Sequence, residues 1–293
     1  MVLRGLHPPN PRYVRNLART YRGGLDSESR PIFAAAEMPV TKDHMPFPAS
    51  IGERKEHAAV AYSLSREGEV SGKMKSDLSL WSLVTAIVAG DAAGVSHLLA
   101  ATPPLAGASF QEGATRQSEK PYFLDQIGRY VYAGDTALHI AAAAYQADIV
   151  RKLIAAGANV HAKNRMGDQA LHAAAVGLPG SPTWNPPAQA ATIVCLIEAG
   201  ADPNAANKSG VAPLHRAVRT RCATAVRTLL DCGADPVRRN KNGSTPMLLA
   251  VENTGRGGTG SPEAKAEQQE ILRLLERRGS AAEANGDCDV QNT

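Results

Sequence analysis

Aromatic side chains are scarce: the 293 residues include seven Tyr, four Phe and two Trp, 4% of the chain. Strands favour aromatic and β-branched residues, so this poverty points away from a sheet-dominated core. Cysteine is equally sparse. Cys195, Cys222, Cys232 and Cys288 form no CxxC pair, which sets aside a zinc ribbon and a disulfide framework and implies reduced thiols in a cytoplasmic setting. No run approaches the roughly 18 consecutive apolar residues that a membrane helix needs. Pro8, Pro9 and Pro11 fall where a secretory signal would keep its apolar segment, and they equally spoil the amphipathic helix of a transit peptide. No Ser/His/Asp set, HExxH or GxxxxGK[ST] is present. Gly255 to Gly260 has the composition of a phosphate cradle, but no strand precedes it and no Lys-Ser/Thr follows. A flexible loop is the simpler reading, and no enzyme activity, cofactor or metal site is expected.

Charge of one sign is also missing from most of the chain. Up to Ser76 there are 12 Lys and Arg against 8 Asp and Glu, and the remainder is balanced. The net charge of +4 therefore belongs to the N-terminal quarter. A basic isoelectric point is then no argument that the rest binds nucleic acid.

What the chain has in quantity is alanine, in short runs beside Leu, Ile and Val, which suits small helices packed closely. Cutting at four glycines exposes a repeat. From Gly134 the text reads GDTALHIAAAAYQADIVRKLIAAGANVHAKNRM, and a matching unit begins at Gly210. Gly167 and Gly243 open two further units, each interrupted by a Pro/Gly-rich excursion. The shared frame is G-x-[TA]-[AP]-L-H-x-A-[AV], a short helix, a turn, a second helix and G-A-[DN]. Thr136 and Thr245 stand as caps, with Pro213 and Pro246 in first turns. Leu138, Leu171 and Leu214 anchor the first helices, and Leu153, Leu196 and Leu229 the second. Gly157, Gly200 and Gly233 sit where a left-handed residue ends the second helix.

This 33-residue period, with its TPLH-like and GAD-like punctuation, resembles the ankyrin repeat. The resemblance implies an all-α solenoid of about five helix-turn-helix repeats with β-turn tips behind a flexible N-terminal leader. The expected division is a leader over 1–77, an atypical cap repeat over about 78–102, a long insert over 103–133, repeats over 134–166, 167–209 and 210–242, a C-terminal cap over 243–282, and a disordered tail over 283–293. One short helix is expected near Glu53–Leu64. His139, His172 and His215 recur at one repeat spacing, too far apart to share a metal; the resemblance gives them a structural role, each hydrogen-bonded to a neighbouring turn.

The same resemblance implies that turn tips and first helices form a concave protein-binding face. On it fall Lys163, Arg165, Lys208, Arg219, Arg221, Arg239 and Lys241, a basic groove for the acidic segment of a protein partner that the sequence does not name. An ordinary solvated face, or a polyanion site in the basic fourth repeat, are the competing readings, though nucleic acid is not the expected partner. Trp184, in one excursion, reads either as a contact anchor or as a loop residue folded back on its neighbour. The Tyr122–Tyr132 cluster reads either as a second anchor or as aromatic packing over the first repeats. A monomeric scaffold or adaptor is the expectation.

Overall fold

Helices of seven to ten residues are too short to persist alone in water, so each must bury an apolar stripe against a neighbour. The computed structural model describes residues 72–181, 183–252 and 262–286, and its ten helices solve that problem by pairing and stacking. The pairs are α1 (Gly72–Val88) with α2 (Ala92–Ala101), α3 (Ala137–Ala143) with α4 (Ala147–Ala155), α5 (Ala170–Ala174) with α6 (Pro186–Glu198), α7 (Pro213–Arg219) with α8 (Ala223–Asp231), and α9 (Pro246–Val251) with α10 (Pro262–Gly286). The odd-numbered helices pack in sequence to form one layer and the even-numbered helices form a second. The first helix begins at Gly72, ahead of the expected boundary, and α10 continues to Gly286, past it. The leader, the expected helix near Glu53–Leu64, the Gly255–Gly260 loop and the last seven residues lie outside the described residues.

One continuous core runs between the layers. The leucines expected to anchor it, Leu138, Leu171 and Leu214 inside and Leu153, Leu196 and Leu229 outside, are all essentially inaccessible, each contributing about 2–3 kcal/mol by burial. Alanines at 141, 142, 174 and 175 are equally buried, and their small size lets adjacent helices close up.

Between one outer helix and the next inner helix the chain makes a projecting turn, a finger. Gly167 and Gly210 open repeats at φ +79° and +73°, and a Cβ on either would stand 2.8 and 2.7 Å from the backbone nitrogen of Lys208 and Lys241 in the following finger. Glycine is needed there for conformation and for approach at once. Fingers join through main-chain hydrogen bonds: Arg165 N–H to Ala133 (2.7 Å), Lys208 N–H to Met166 (3.1 Å) and Lys241 N–H to Ser209 (3.1 Å).

The long insert is an enlarged first finger. Its strands β1 (Phe123–Leu124) and β2 (Arg129–Tyr130) pair antiparallel, and Phe110 exchanges backbone hydrogen bonds with Gly134 and Asp135. Phe110 and Tyr122 stack on Trp81 of α1, at 4.8 and 6.4 Å between ring centroids, and Phe123 meets Tyr130 at 4.6 Å. The aromatics fill space over the first repeats that alanine-rich helices cannot.

The other end differs from expectation. A terminal repeat should turn a polar face outward. Leu248 and Val251 of α9 occupy the places of His215 and Val218, which the next repeat buries, yet are themselves 47% and 60% exposed. The C-terminal repeat is closed on its outer side by α10, through Ala264, Ile271, Leu274 and Leu275, and open on its inner side.

Candidate functional site

The three histidines tie each repeat to the next. In each, Nδ1 accepts the backbone N–H at the start of its own helix: Thr136 at 3.1 Å, Gln169 at 3.2 Å and Ala212 at 3.2 Å. That leaves Nε2 as the protonated nitrogen, donating to a carbonyl of the following repeat: Asp168 at 3.0 Å, Val211 at 3.0 Å and Ser244 at 3.3 Å. Burial lowers the pKa of all three imidazoles, because a charged ring would lose its hydration. Gly157, Gly200 and Gly233 end the outer helices at φ +97°, +96° and +90°.

A second recurring residue, missed in the sequence reading, shapes the fingers. Asn164, Asn207 and Asn240 stand three places before a repeat-opening glycine. The Oδ1 of each accepts two backbone N–H groups across its own turn: those of Met166 and Asp168, of Ser209 and Val211, and of Asn242 and Ser244, all at 2.9 to 3.1 Å. Asn164 and Asn207 also donate to the carboxylate of the preceding finger, Asp135 at 2.9 Å and Asp168 at 2.8 Å. The thrice-repeated N-[RK]-x-G was the available signal.

Each of these two carboxylates has an arginine of its own, whereas Asp202 and Asp235, at the start of later fingers, cap backbone N–H groups of their own turns. Arg129 lies 3.7 Å from Asp135, and Arg216, on α7, is 2.7 Å from Asp168. Burial alone would raise the Asp168 pKa, but the Arg216 guanidinium and the Asn207 amide outweigh it and hold the carboxyl below its ordinary range.

The exposed cations at the tips are left over. Lys163, Arg165, Lys208, Arg239 and Lys241 all face solvent, and among the described residues none is in an ion pair. Arg165 carries its guanidinium 5.0 Å above the Tyr132 ring. Arg239 donates to the Gly243 carbonyl at 2.9 Å. Arg219 is half-buried at the end of α7.

Two expected contact residues are placed elsewhere. Arg221 is fully buried. With φ at +61° it turns inward, donating to the carbonyls of Leu249 (3.3 Å), Ala250 (2.7 Å) and Glu252 (2.6 Å) at the end of α9. It fastens one repeat to the next and belongs to no surface. Tyr145, at the same place two repeats earlier, is also left-handed and donates its hydroxyl to Val176. Trp184 is half-buried; its indole N–H bonds Gln189 Oε1 at 3.0 Å, and Gln189 in turn bonds Ala174 and Val176. The indole is thereby tied to its own repeat, where a fold back on a neighbour was one of the two expectations.

Among the described residues no group of three or more His, Cys, Asp or Glu side chains could hold a metal ion, and no helix is long and apolar enough to cross a membrane. Comparison with protein-family models gives two matches, a three-copy ankyrin-repeat model over residues 188–286 and a single ankyrin repeat over 133–165. A search of curated proteins finds no match. With its helix pairs in two layers, its fingers and its histidine links, the chain carries an array of ankyrin repeats, which are in general protein–protein interaction modules.

Proposed function

We propose that this protein is an adaptor that holds a partner protein by an acidic segment laid along the finger tips and the adjoining ends of the inner helices. The supporting observation is the sorting of charge. Asp135 and Asp168 are neutralised inside the array by Arg129 and Arg216, whereas Lys163, Arg165, Lys208 and Lys241 face solvent and, among the described residues, are in no ion pair. A row of like charges raises the local concentration of the opposite sign and speeds encounter with it. Individual exposed pairs contribute only about 0–1 kcal/mol, so several must act together. The three described cysteines are buried and free, in keeping with work in a reducing compartment.

The test is capture from native lysate by the wild-type protein, by Lys163→Glu/Arg165→Glu/Lys208→Glu/Lys241→Glu, and by a control reversed on the outer layer, Arg151→Glu/Arg273→Glu. A discrete protein held by the wild type and the control, and weakened at least tenfold in the finger variant, is the expected result. Equal retention by all three removes the fingers from the site. Loss of capture on adding heparin together with indifference to protein identity would favour the polyanion reading.

A further inference from the structure

Arg165, Lys208 and Lys241 each stand two places before a repeat-opening glycine, and each uses its own N–H to bond the previous finger. Their side chains therefore leave the backbone from equivalent, fixed points. The stems of the two lysines start alike: Lys208 Cγ lies 3.1 Å from the place a Gly167 Cβ would take, and Lys241 Cγ lies 3.2 Å from that of Gly210. Arg165 is steered by the Tyr132 ring. Among the described residues none of the three cations is in an ion pair, so their charges are available.

The spacing of such a row follows from packing. Stacked helices sit about 8–10 Å apart, so consecutive fingers, and the cations on them, repeat at about that distance. An extended chain in the polyproline II conformation has three residues per turn and advances about 3.1 Å per residue, so every third side chain falls on one face and three residues cover one repeat. An α-helix advances only about 1.5 Å per residue, so acids three residues apart would stand about 4.5 Å apart along it, half of one repeat.

We infer that Arg165, Lys208 and Lys241 form a ruler that reads an extended partner segment carrying an acidic residue at every third position, one carboxylate per finger. This rests on the finger row being the partner site, and it specifies the pattern that site selects. Since lone exposed pairs are weak, the selectivity comes from all three engaging without bending the bound chain.

The experiment uses two labelled nonapeptides of identical composition and charge, Glu-Ser-Thr three times over, and an isomer with the three Glu consecutive. Fluorescence anisotropy measures their binding to the full chain and to Arg165→Gln/Lys208→Gln/Lys241→Gln, whose helical circular dichroism and melting should match the wild type because all three positions are exposed. About tenfold tighter binding of the spaced peptide to the wild type, with the preference gone in the variant, is the expected result. Equal binding of both peptides to the wild type, lost in the variant, overturns the ruler and leaves the basic row as a site. A preference for the consecutive isomer, or one for the spaced peptide that persists in the variant, also overturns the ruler. Binding of neither peptide, or equal binding to both proteins, overturns the ruler and the acidic-segment reading together.

Discussion

Arg221→Glu is expected to unfold the C-terminal end of the array, while Arg219→Glu, two residues away, costs less than about 1 kcal/mol. Arg219 stands half-buried in the last turn of α7, where reversal loses some favourable interaction with the helix end but creates no buried charge. Arg221 is inaccessible and directs its guanidinium at the carbonyls of Leu249, Ala250 and Glu252. A carboxylate in its place would meet three acceptors, without a donor and without water. An uncompensated buried charge of that kind costs about 3–5 kcal/mol, a large part of the roughly 5–15 kcal/mol that keeps a domain folded. Urea unfolding followed by circular dichroism separates the two: a clearly lower midpoint, or an early first transition, for Arg221→Glu alone. Equal midpoints would contradict the buried position. Binding lost in an Arg221 variant thus reports on folding, and interface tests should leave that residue alone.

Acid should loosen the same joints along the whole stack. An unfolded imidazole takes up its proton near pH 6.5. His139, His172 and His215 do so only at lower pH when folded, because burial penalises the charged ring. Between the two values the unfolded chain holds more protons, so stability is complete above about pH 6.5 and falls as pH drops below it. Each histidine adds a slope of up to about 1.4 kcal/mol per pH unit, and three together up to about 4. Protonation also places a hydrogen on Nδ1, against the backbone N–H that each now accepts. Urea midpoints at pH 7.5 and 5.5 measure the effect. A marked drop is expected, with a shallower dependence in His172→Gln; a flat profile across that interval would show that the histidines titrate normally. Asp168, with its pKa held down, loses its stabilising contribution only at still lower pH, below the ordinary carboxylate range.

Much of this was legible before any coordinates, because a repeat states each position several times. The leucines, the histidines and the helix-ending glycines recur at fixed offsets, and their packing follows from the recurrence. Arg221 was misplaced for the opposite reason. In a locally basic repeat it reads as one more surface cation, and nothing in its own neighbourhood says that the backbone turns left-handed there and buries it. The clue lay two repeats earlier, at Tyr145, the equivalent position, whose long polar-tipped side chain also reaches the next repeat. Trp184 likewise depends on a contact the local text does not announce: the buried amide of Gln189, five residues on. The exposure of Leu248 and Val251 was not legible either, since a cap can be closed on one layer and left apolar on the other.

Site-specific photo-cross-linking tests most directly whether the fingers are the working surface. A benzophenone amino acid at Lys208, on a finger tip, is compared with one at Arg151, exposed on an outer helix, each in an otherwise wild-type chain bound to the partner it captures. Cross-links to an acidic stretch of the partner from position 208, and none from 151, are the expected result. Cross-links from 151 with none from 208 would contradict it and move the site to the opposite layer.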